Sequence, residues 1–170
     1  MNEIVEAYTF DGTLASVPIL FFLETVMGHS AQLGTEPGWT FDELTALAKA
    51  YPEAELFDGA TKSDILRYVL TYNYNAFIDW SAGTCSFDSP EFQSILQFAA
   101  SFPDQTVPDP DRLDTPARIQ SGEVLLKNTF LYDFDSIQMD MAMYGEDAFC
   151  IGFPTTDGTP RHGLTTAYAY

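Results

Sequence analysis

Carboxylates are abundant in this sequence, and a pair of them facing one sugar could hydrolyse a glycosidic bond. The chain has 25 Asp plus Glu, and glycosidases need two carboxyl groups on either side of the scissile bond. Asp133 and Asp135 lie two residues apart, which on a helix directs them to different faces, and Asp140 lies too far along to complete a pair. Dispersed acids usually form a solvated surface. A glycosidase is therefore an alternative that the spacing does not favour.

Cysteines and histidines are too few and too scattered to predict a metal site. Cys85 and Cys150 have neither CxxC nor Cys/His spacing, and a bond between them stays an open alternative. His29 and His162 are interpreted as ordinary surface or turn residues. The chain also contains no GxSxG elbow, phosphate loop or HExxH sequence. We therefore expect no cofactor and no metal.

Aromatic residues are the side chains best suited to bind a ligand. Their faces pack on the apolar faces of sugar rings, while amides and carboxylates bind the hydroxyls. Most of them fall at core periodicities and are expected to fill the interior, among them Phe21, Phe92, Phe98 and Phe134. The remaining candidates for a ligand are Tyr8, Phe10, Trp39, Tyr72, Tyr74, Trp80 and Tyr132. A polar and aromatic cleft of this kind suits a neutral carbohydrate.

Charge and hydropathy exclude several partners. Seven Lys plus Arg against 25 Asp plus Glu give a formal net charge of −18, which repels nucleic acids and anionic membrane surfaces. The longest apolar stretch, Val17 to Val26, is interrupted by Glu24 and falls short of the roughly 20 residues of a membrane helix. No signal peptide is visible at the N-terminus, so the chain is either cytoplasmic or begins inside a longer exported one.

Turn and capping signals predict the elements that position these residues. Asp11-Gly12 predicts a hairpin over Tyr8 to Val17, and the apolar run after Pro18 predicts a strand buried on both sides. A second small hairpin is predicted at Phe77 to Phe87. The first predicted helix starts at Thr40, where Glu43 completes a capping box. Four further helices are predicted over residues 61–77, 89–101, 115–122 and 130–144. Further strands are predicted at 123–127, 148–153 and 164–170. This alternation predicts a mixed α/β fold.

The order of four segments resembles the extracellular solute-binding proteins of ABC importers. These segments are DGTLASVPILFFLETVMGHSAQLGTEPGWTFDEL, FIDWSAGTCSFDSPEFQSILQFAASF, ARIQSGEVLLKNTF and FCIGFPTTDGTPRHG. In that order they are similar to the crossover strand, the hairpin and helix, the "A...GK.AM...G" segment and the Pro-Gly loop of the sugar-binding branch, which includes maltose-binding protein. The resemblance implies a lobe of the periplasmic-binding-protein type, with helices on a small mixed sheet.

The same resemblance implies how the chain is organised. Members of the family have two α/β lobes joined by a hinge, and the solute binds between the lobes as they close. Residues 1–18 correspond to the hinge crossover and residues 19–170 to the second lobe. The first lobe, the lipoprotein signal and the final helices have no counterpart here, so the chain is expected to be a single lobe of a longer protein.

Residues matched to the family motif form the candidate binding site. Tyr132 falls where relatives often place a sugar-stacking aromatic, and Asp133 beside it would accept hydrogen bonds from hydroxyls. Thr61, Lys62 and Ser63 fall at a helix start that faces the cleft in relatives. Trp39 belongs to the same candidate set, although its place before the capping box favours a role in holding that helix.

The function implied is the binding of an extracellular solute, most of all an oligosaccharide, for uptake through an ABC transporter. The partners would be the solute and a membrane permease, and no nucleic acid and no catalysis are expected. The longer protein would be extracellular or at the cell surface, anchored as a lipoprotein. Two alternatives stay open: a fragment of a glycan-active enzyme and a protein-interaction domain that uses an exposed aromatic face.

Overall fold

A computed structural model of the chain describes residues 5, 6, 8–106 and 109–169, with the side chains of all of these except 17, 18 and 166–169. Its strands are β1 (Thr9–Phe10), β2 (Thr13–Leu14), β3 (Val17–His29), β4 (Glu55–Phe57), β5 (Ile78–Asp79), β6 (Thr84–Cys85), β7 (Val124–Leu131), β8 (Ala148–Cys150) and β9 (Gly163–Ala169). Its α-helices are α1 (Ser30–Leu33), α2 (Phe41–Ala50), α3 (Lys62–Leu70), α4 (Tyr74–Phe77), α5 (Pro90–Ala100), α6 (Thr115–Ser121) and α7 (Phe134–Tyr144). The predicted mixed α/β class is confirmed.

A five-stranded mixed sheet forms the centre of the described residues. The long strand β3 pairs with β7 along one edge, and β4 adds in parallel to the far side of β7. The other edge of β3 is divided between two strands, with β9 pairing to residues 17–24 and β8 to residues 27–29. Apart from β4, every pairing in this sheet is antiparallel.

Helices cover both faces of the sheet. One face packs against α2, α3 and α5 in the larger hydrophobic core, which contains Val26 of β3 and Leu126 of β7. The other face carries a smaller core beneath α6 and α7, which contains Met27 and Val124. Because successive residues of a strand point to opposite faces, Val26 and Met27 are buried in different cores.

Local capping signals form the elements that they predict. The Thr40 hydroxyl accepts a hydrogen bond from the Glu43 amide at 3.2 Å, and the Glu43 carboxylate accepts one from the Thr40 amide at 2.6 Å, which completes the predicted capping box. Ser89 caps α5 in the predicted manner, with Pro90 as its first residue. The Asp11-Gly12 turn joins β1 to β2, with positive φ at both residues.

Two predicted helices have different bounds in the structure. The helix predicted over residues 61–77 is divided into α3 and α4. At the break, the backbone of Asn73 is not helical, and its buried side chain donates to the Pro154 carbonyl at 2.9 Å. The helix predicted over 130–144 begins only at Phe134. Leu131 instead pairs with Leu23, so β7 is longer than the predicted strand 123–127.

The expected burial of two aromatic residues is wrong. Phe21 and Phe134 are exposed rather than in the core, because both line a groove that none of the described helices covers. Residues 1–4, 7, 107, 108 and 170 lie outside the described residues, and with them parts of the expected hinge crossover and of the last predicted strand. Within the described chain, every helix is too short or too polar to cross a bilayer.

Candidate functional site

The candidate site lies where β3 and β7 extend beyond the helices. We call this region the open end of the sheet. It consists of residues 19–24 of β3, residues 128–131 of β7, and Tyr132 and Asp133, which follow β7. Leu23 pairs with Leu131 and Glu24 with Phe130, so the two strands bring their side chains together in register. Phe22 and Phe130 meet edge to face, with 5.7 Å between ring centroids. The two faces of this open end differ in chemistry.

An apolar groove lies on the α7 face of the open end. It is lined by Ile19, Leu20, Phe21, Leu23, Leu131, Tyr132, Asp133, Phe134 and Ile137. The Tyr132 side chain is 59% exposed, so its ring is available to a ligand. Two predicted site residues, Tyr132 and Asp133, therefore lie side by side in a concave surface.

Asp133 also starts α7. Its Oδ1 accepts a hydrogen bond from the Ser136 amide at 2.7 Å, while the Ser136 hydroxyl accepts one from the Asp133 amide at 3.3 Å. This capping box fixes the carboxylate at the rim of the groove. Oδ1 is engaged by the helix, and Oδ2 has no hydrogen bond among the described residues, so Oδ2 is the atom that could accept from a solute hydroxyl.

A polar cluster lies on the α3 face of the same open end. Glu24 Oε1 accepts hydrogen bonds from Asn128 Nδ2 at 2.8 Å and from the Arg67 guanidinium at 3.2 Å. The guanidinium carbon also lies 4.6 Å from the centroid of the Tyr68 ring, which holds the arginine by a cation–π contact. A carboxylate, a guanidinium and an amide are thus fixed together beside solvent, and these groups bind hydroxyls well.

Two tyrosines border the polar cluster. Burial raises the pKa of Tyr68 and of Tyr72, so both phenols stay neutral at physiological pH. The Tyr72 hydroxyl lies where a β-carbon on Gly163 would stand, so only glycine permits this approach. Close packing of β9 against Tyr72 follows. Next to this region, His162 Nδ1 lies 2.9 Å from the Thr25 hydroxyl, and burial lowers the pKa of the imidazole.

Sequence reasoning missed the polar cluster, although one signal was present. Glu24 is the only charged residue in the apolar stretch from Val17 to Val26. A carboxylate in a strand needs a partner when it is mostly buried, and that partner, Arg67, comes from a helix far along the chain. The charge was visible in the sequence, whereas the pairing was not.

Thr61, Lys62 and Ser63 lie at the start of α3, at the opposite end of that helix from the Arg67 contact. Thr61 forms a capping box with Asp64. The Lys62 amide donates to the Pro103 carbonyl, and its ammonium group pairs with Asp104 at 2.9 Å. None of the three lines the apolar groove. The structure therefore does not bring them together with Tyr132.

Trp39 is a core residue. Its side chain is only 4% exposed, and its indole N–H donates to the Gly152 carbonyl at 2.9 Å. Burial leaves the ring without an exposed face for a solute, which corrects its place in the candidate set. The role that its position before the capping box suggests, to hold the start of α2, agrees with this burial.

Metal and thiol chemistry have no obvious location in the described part of the chain. No group of three or more His, Cys, Asp or Glu side chains there could hold a metal ion. Cys85 and Cys150 are both free thiols, so the disulfide alternative is not formed. The open end instead has an apolar groove on one face of β3 and hydrogen-bonding groups on the other.

Comparisons with known proteins identify the fold. No protein-family model matches the sequence, and no curated protein matches it either. Among solved structures, maltose-bound MalE3 of T. maritima is 18% identical with a TM-score of 0.55, and covers 99% of this chain. An ABC transporter solute-binding protein of Thermotoga lettingae, bound with α-D-tagatose, is 14% identical with a TM-score of 0.52, and also covers 99%.

The matched region is less than half of each neighbour. In both cases it covers 47% of the other chain. At these identities the likeness establishes the fold alone, and it confirms the fold that the motif order implies: this chain folds like part of these two solute-binding proteins.

Proposed function

We propose that this chain is one lobe of a solute-binding protein of an ABC importer and that its open sheet end forms one wall of a cleft for a neutral oligosaccharide. The observation that carries the proposal is the exposed ring of Tyr132 beside the Asp133 carboxylate in the apolar groove on the α7 face. Aromatic and apolar surface suits the C–H faces of sugar rings, and the carboxylate suits their hydroxyls. The sugars bound by the two structural neighbours support the same ligand class.

The mechanism would be non-catalytic closure. Solute that contacts both walls of a cleft favours the closed form over the open one, and a membrane permease would recognise that closed form. Such a protein would act outside the cell or at its surface. Within this lobe, Tyr132 would stack on a sugar ring, while Asp133 Oδ2 would accept hydrogen bonds from its hydroxyls.

Calorimetric titration with a panel of neutral mono- and oligosaccharides tests the ligand class, with dipeptides and divalent cations as the competing classes. We expect heat from at least one sugar. Replacing Tyr132 by Ala should weaken that binding by about 0.5–1.5 kcal/mol, or roughly two- to twelvefold, which is the value of one aromatic contact. The matched control is Tyr51→Ala, which removes an exposed tyrosine that lies outside the groove.

Two results would refute parts of this proposal. Binding of dipeptides or cations without any response to sugars would exclude the carbohydrate assignment. Release of new reducing ends from an oligosaccharide would show glycan hydrolysis and remove the non-catalytic assignment.

The exposed apolar groove also favours a second function, a contact with another protein. Ile19, Phe21 and Phe134 present contiguous apolar surface of the kind that marks interaction sites. Light scattering of the purified chain distinguishes this function, since self-association that Phe134→Asp abolishes, in the absence of any sugar response, would favour it over solute binding.

A further inference from the structure

A miniature hairpin, exposed over residues 79–85, follows α4. Strands β5 and β6 pair over only two residues each, so the hairpin needs external anchors to be ordered. One anchor is the buried Phe77, whose carbonyl accepts a hydrogen bond from the Ser86 amide at 2.9 Å. The turn is fixed by Asp79, whose Oδ1 accepts from the Ser81 amide at 3.0 Å, the Ser81 hydroxyl at 2.7 Å and the Ala82 amide at 3.0 Å.

Trp80 lies in this hairpin with most of its ring uncovered. Its side chain is 70% exposed, which is uncommon for the largest apolar side chain. The indole N–H nevertheless has a partner, because it donates to Asn75 Oδ1 at 2.9 Å. This hydrogen bond favours one orientation of the ring while its surface stays open. An aromatic ring that is ordered before binding loses little entropy when a ligand stacks on it.

Polar groups surround the tryptophan. The residues of a shallow depression come from α4, the hairpin and the residue after it: Asn75 of α4, Asp79 of β5, Trp80 of the turn, Thr84 and Cys85 of β6, and Ser86. Asn75 Nδ2 and the Thr84 hydroxyl have no hydrogen bond among the described residues, so both can bind a ligand. An apolar plate bordered by an amide and a hydroxyl suits a pyranose ring, which has C–H faces and hydroxyl edges.

We propose that Trp80 is a stacking platform for a neutral sugar ring and forms, with Asn75 and Thr84, a second carbohydrate-contact site. The net charge of −18 disfavours acidic glycans, which makes neutral sugars the expected class. None of its residues lines the apolar groove, so the two sites share no side chain. The inference therefore stands without the proposed function of Tyr132.

Tryptophan emission tests this proposal, because the chain has only two tryptophans. Trp39 is buried and hydrogen-bonded in the core, so a saturable change in emission and reduced quenching by acrylamide on adding sugar would arise from Trp80. The probes are neutral trisaccharides of glucose, mannose and xylose. In calorimetry, Trp80→Ala should weaken binding about two- to twelvefold, while Trp80→Phe, which keeps a ring, should retain most of it.

Control variants separate this site from the groove and from general loss of folding. Tyr132→Ala should leave the Trp80 emission change intact, and Phe134→Ala, which removes another exposed ring, should have no effect on that emission change. Far-ultraviolet circular dichroism should be unchanged in Trp80→Ala, since the ring is mostly exposed.

Several outcomes overturn the inference. They are sugar binding with no change in emission, an emission change that persists in Trp80→Ala, a response to dipeptides alone, and no binding of any trisaccharide. The first, combined with weakened binding in Tyr132→Ala, would leave the proposed function in place while removing this second site.

Discussion

The two halves of β3 have similar apolar residues but different surroundings. Over residues 25–28 the strand is buried on both faces, between the larger core under α3 and the smaller core under α7. Over residues 19–23 its side chains are mostly exposed, because the helices do not reach this far. The difference teaches that apolar content predicts the strand, while the placement of the helices decides whether a residue stabilises the fold or remains available for binding.

The largest change in the free energy of unfolding is expected when one leucine from each region is replaced by alanine. Leu126 of β7 is 0% exposed in the larger core, whereas Leu20 of β3 is 50% exposed. Leu126→Ala should lower the free energy of unfolding by about 3 kcal/mol, through lost burial and a new cavity. Leu20→Ala should change it by about 0.5 kcal/mol or less. Urea denaturation measures both, and similar losses would show that the open end is covered in solution.

Two arginines differ in exposure between the helix-covered part of the fold and the open end. The Arg118 side chain is 8% exposed and pairs with Glu55, Asp58 and Glu123. The Arg67 side chain at the open end is 49% exposed. Arg118→Met should cost about 2 kcal/mol of stability, less than for a fully buried pair because Glu55 is partly exposed. Arg67→Met is the comparison, with an expected loss of about 1 kcal/mol, because Arg67 is half exposed and the Glu24 carboxylate keeps Asn128 as a donor.

Acid titration sharpens the assignment of the Arg118 network. Burial would raise the pKa of Glu55, but hydrogen bonds from Arg118 and the Gly59 amide outweigh burial and hold its pKa below the ordinary 4.5. Burial acts likewise on Asp58, where hydrogen bonds from Thr115 and Arg112 hold the pKa below 3.8. The folded pKa values lie below the unfolded ones, so this stability is present above the ordinary values and lost as pH falls through the folded values.

The measurement is the urea midpoint of the wild type and of Arg118→Met between about pH 6 and pH 3. The wild type should lose more stability than the variant over this interval. His162, whose pKa burial lowers, contributes equally to both proteins and cancels in the difference. Parallel curves would mean that Arg118 does not depress the pKa of these carboxylates.

A charge at the open end gives the last comparison. Glu24→Gln keeps the shape of the side chain but removes the charge that pairs with Arg67, so the free energy of unfolding should fall by about 1 kcal/mol in urea denaturation. Calorimetry should show unchanged sugar binding in the same variant, because Glu24 is not among the residues that line the groove. Weaker sugar binding in Glu24→Gln would show that the solute also contacts the α3 face.

Local rules explain what could be predicted from the sequence. The capping box at Thr40 and Glu43 and the Asp11-Gly12 turn depend on residues close in sequence, and the structure contains both. The break before α4 could not be predicted in this way. The side chain of Asn73 binds the Pro154 carbonyl and the Thr156 amide, which the chain brings close only after the sheet has formed.

The candidate site was predictable only in part, for the same physical reason. Tyr132 and Asp133 follow directly after a strand, and they lie together in the groove. Thr61 starts α3 as predicted, but it does not line that groove. The partner of Glu24 depends on how α3 packs across the sheet, which no local pattern of residues specifies.

The division of one edge of β3 between two partner strands has a consequence for local opening. β8 occupies the edge at residues 27–29 and β9 at residues 17–24, while the Ile151 amide between the two donates to the Val26 carbonyl at 3.0 Å. Detachment of β9 would therefore leave the β8 pairing in place. We expect amide protons along this edge to exchange in two groups, with those at the open end requiring the lower free energy of opening.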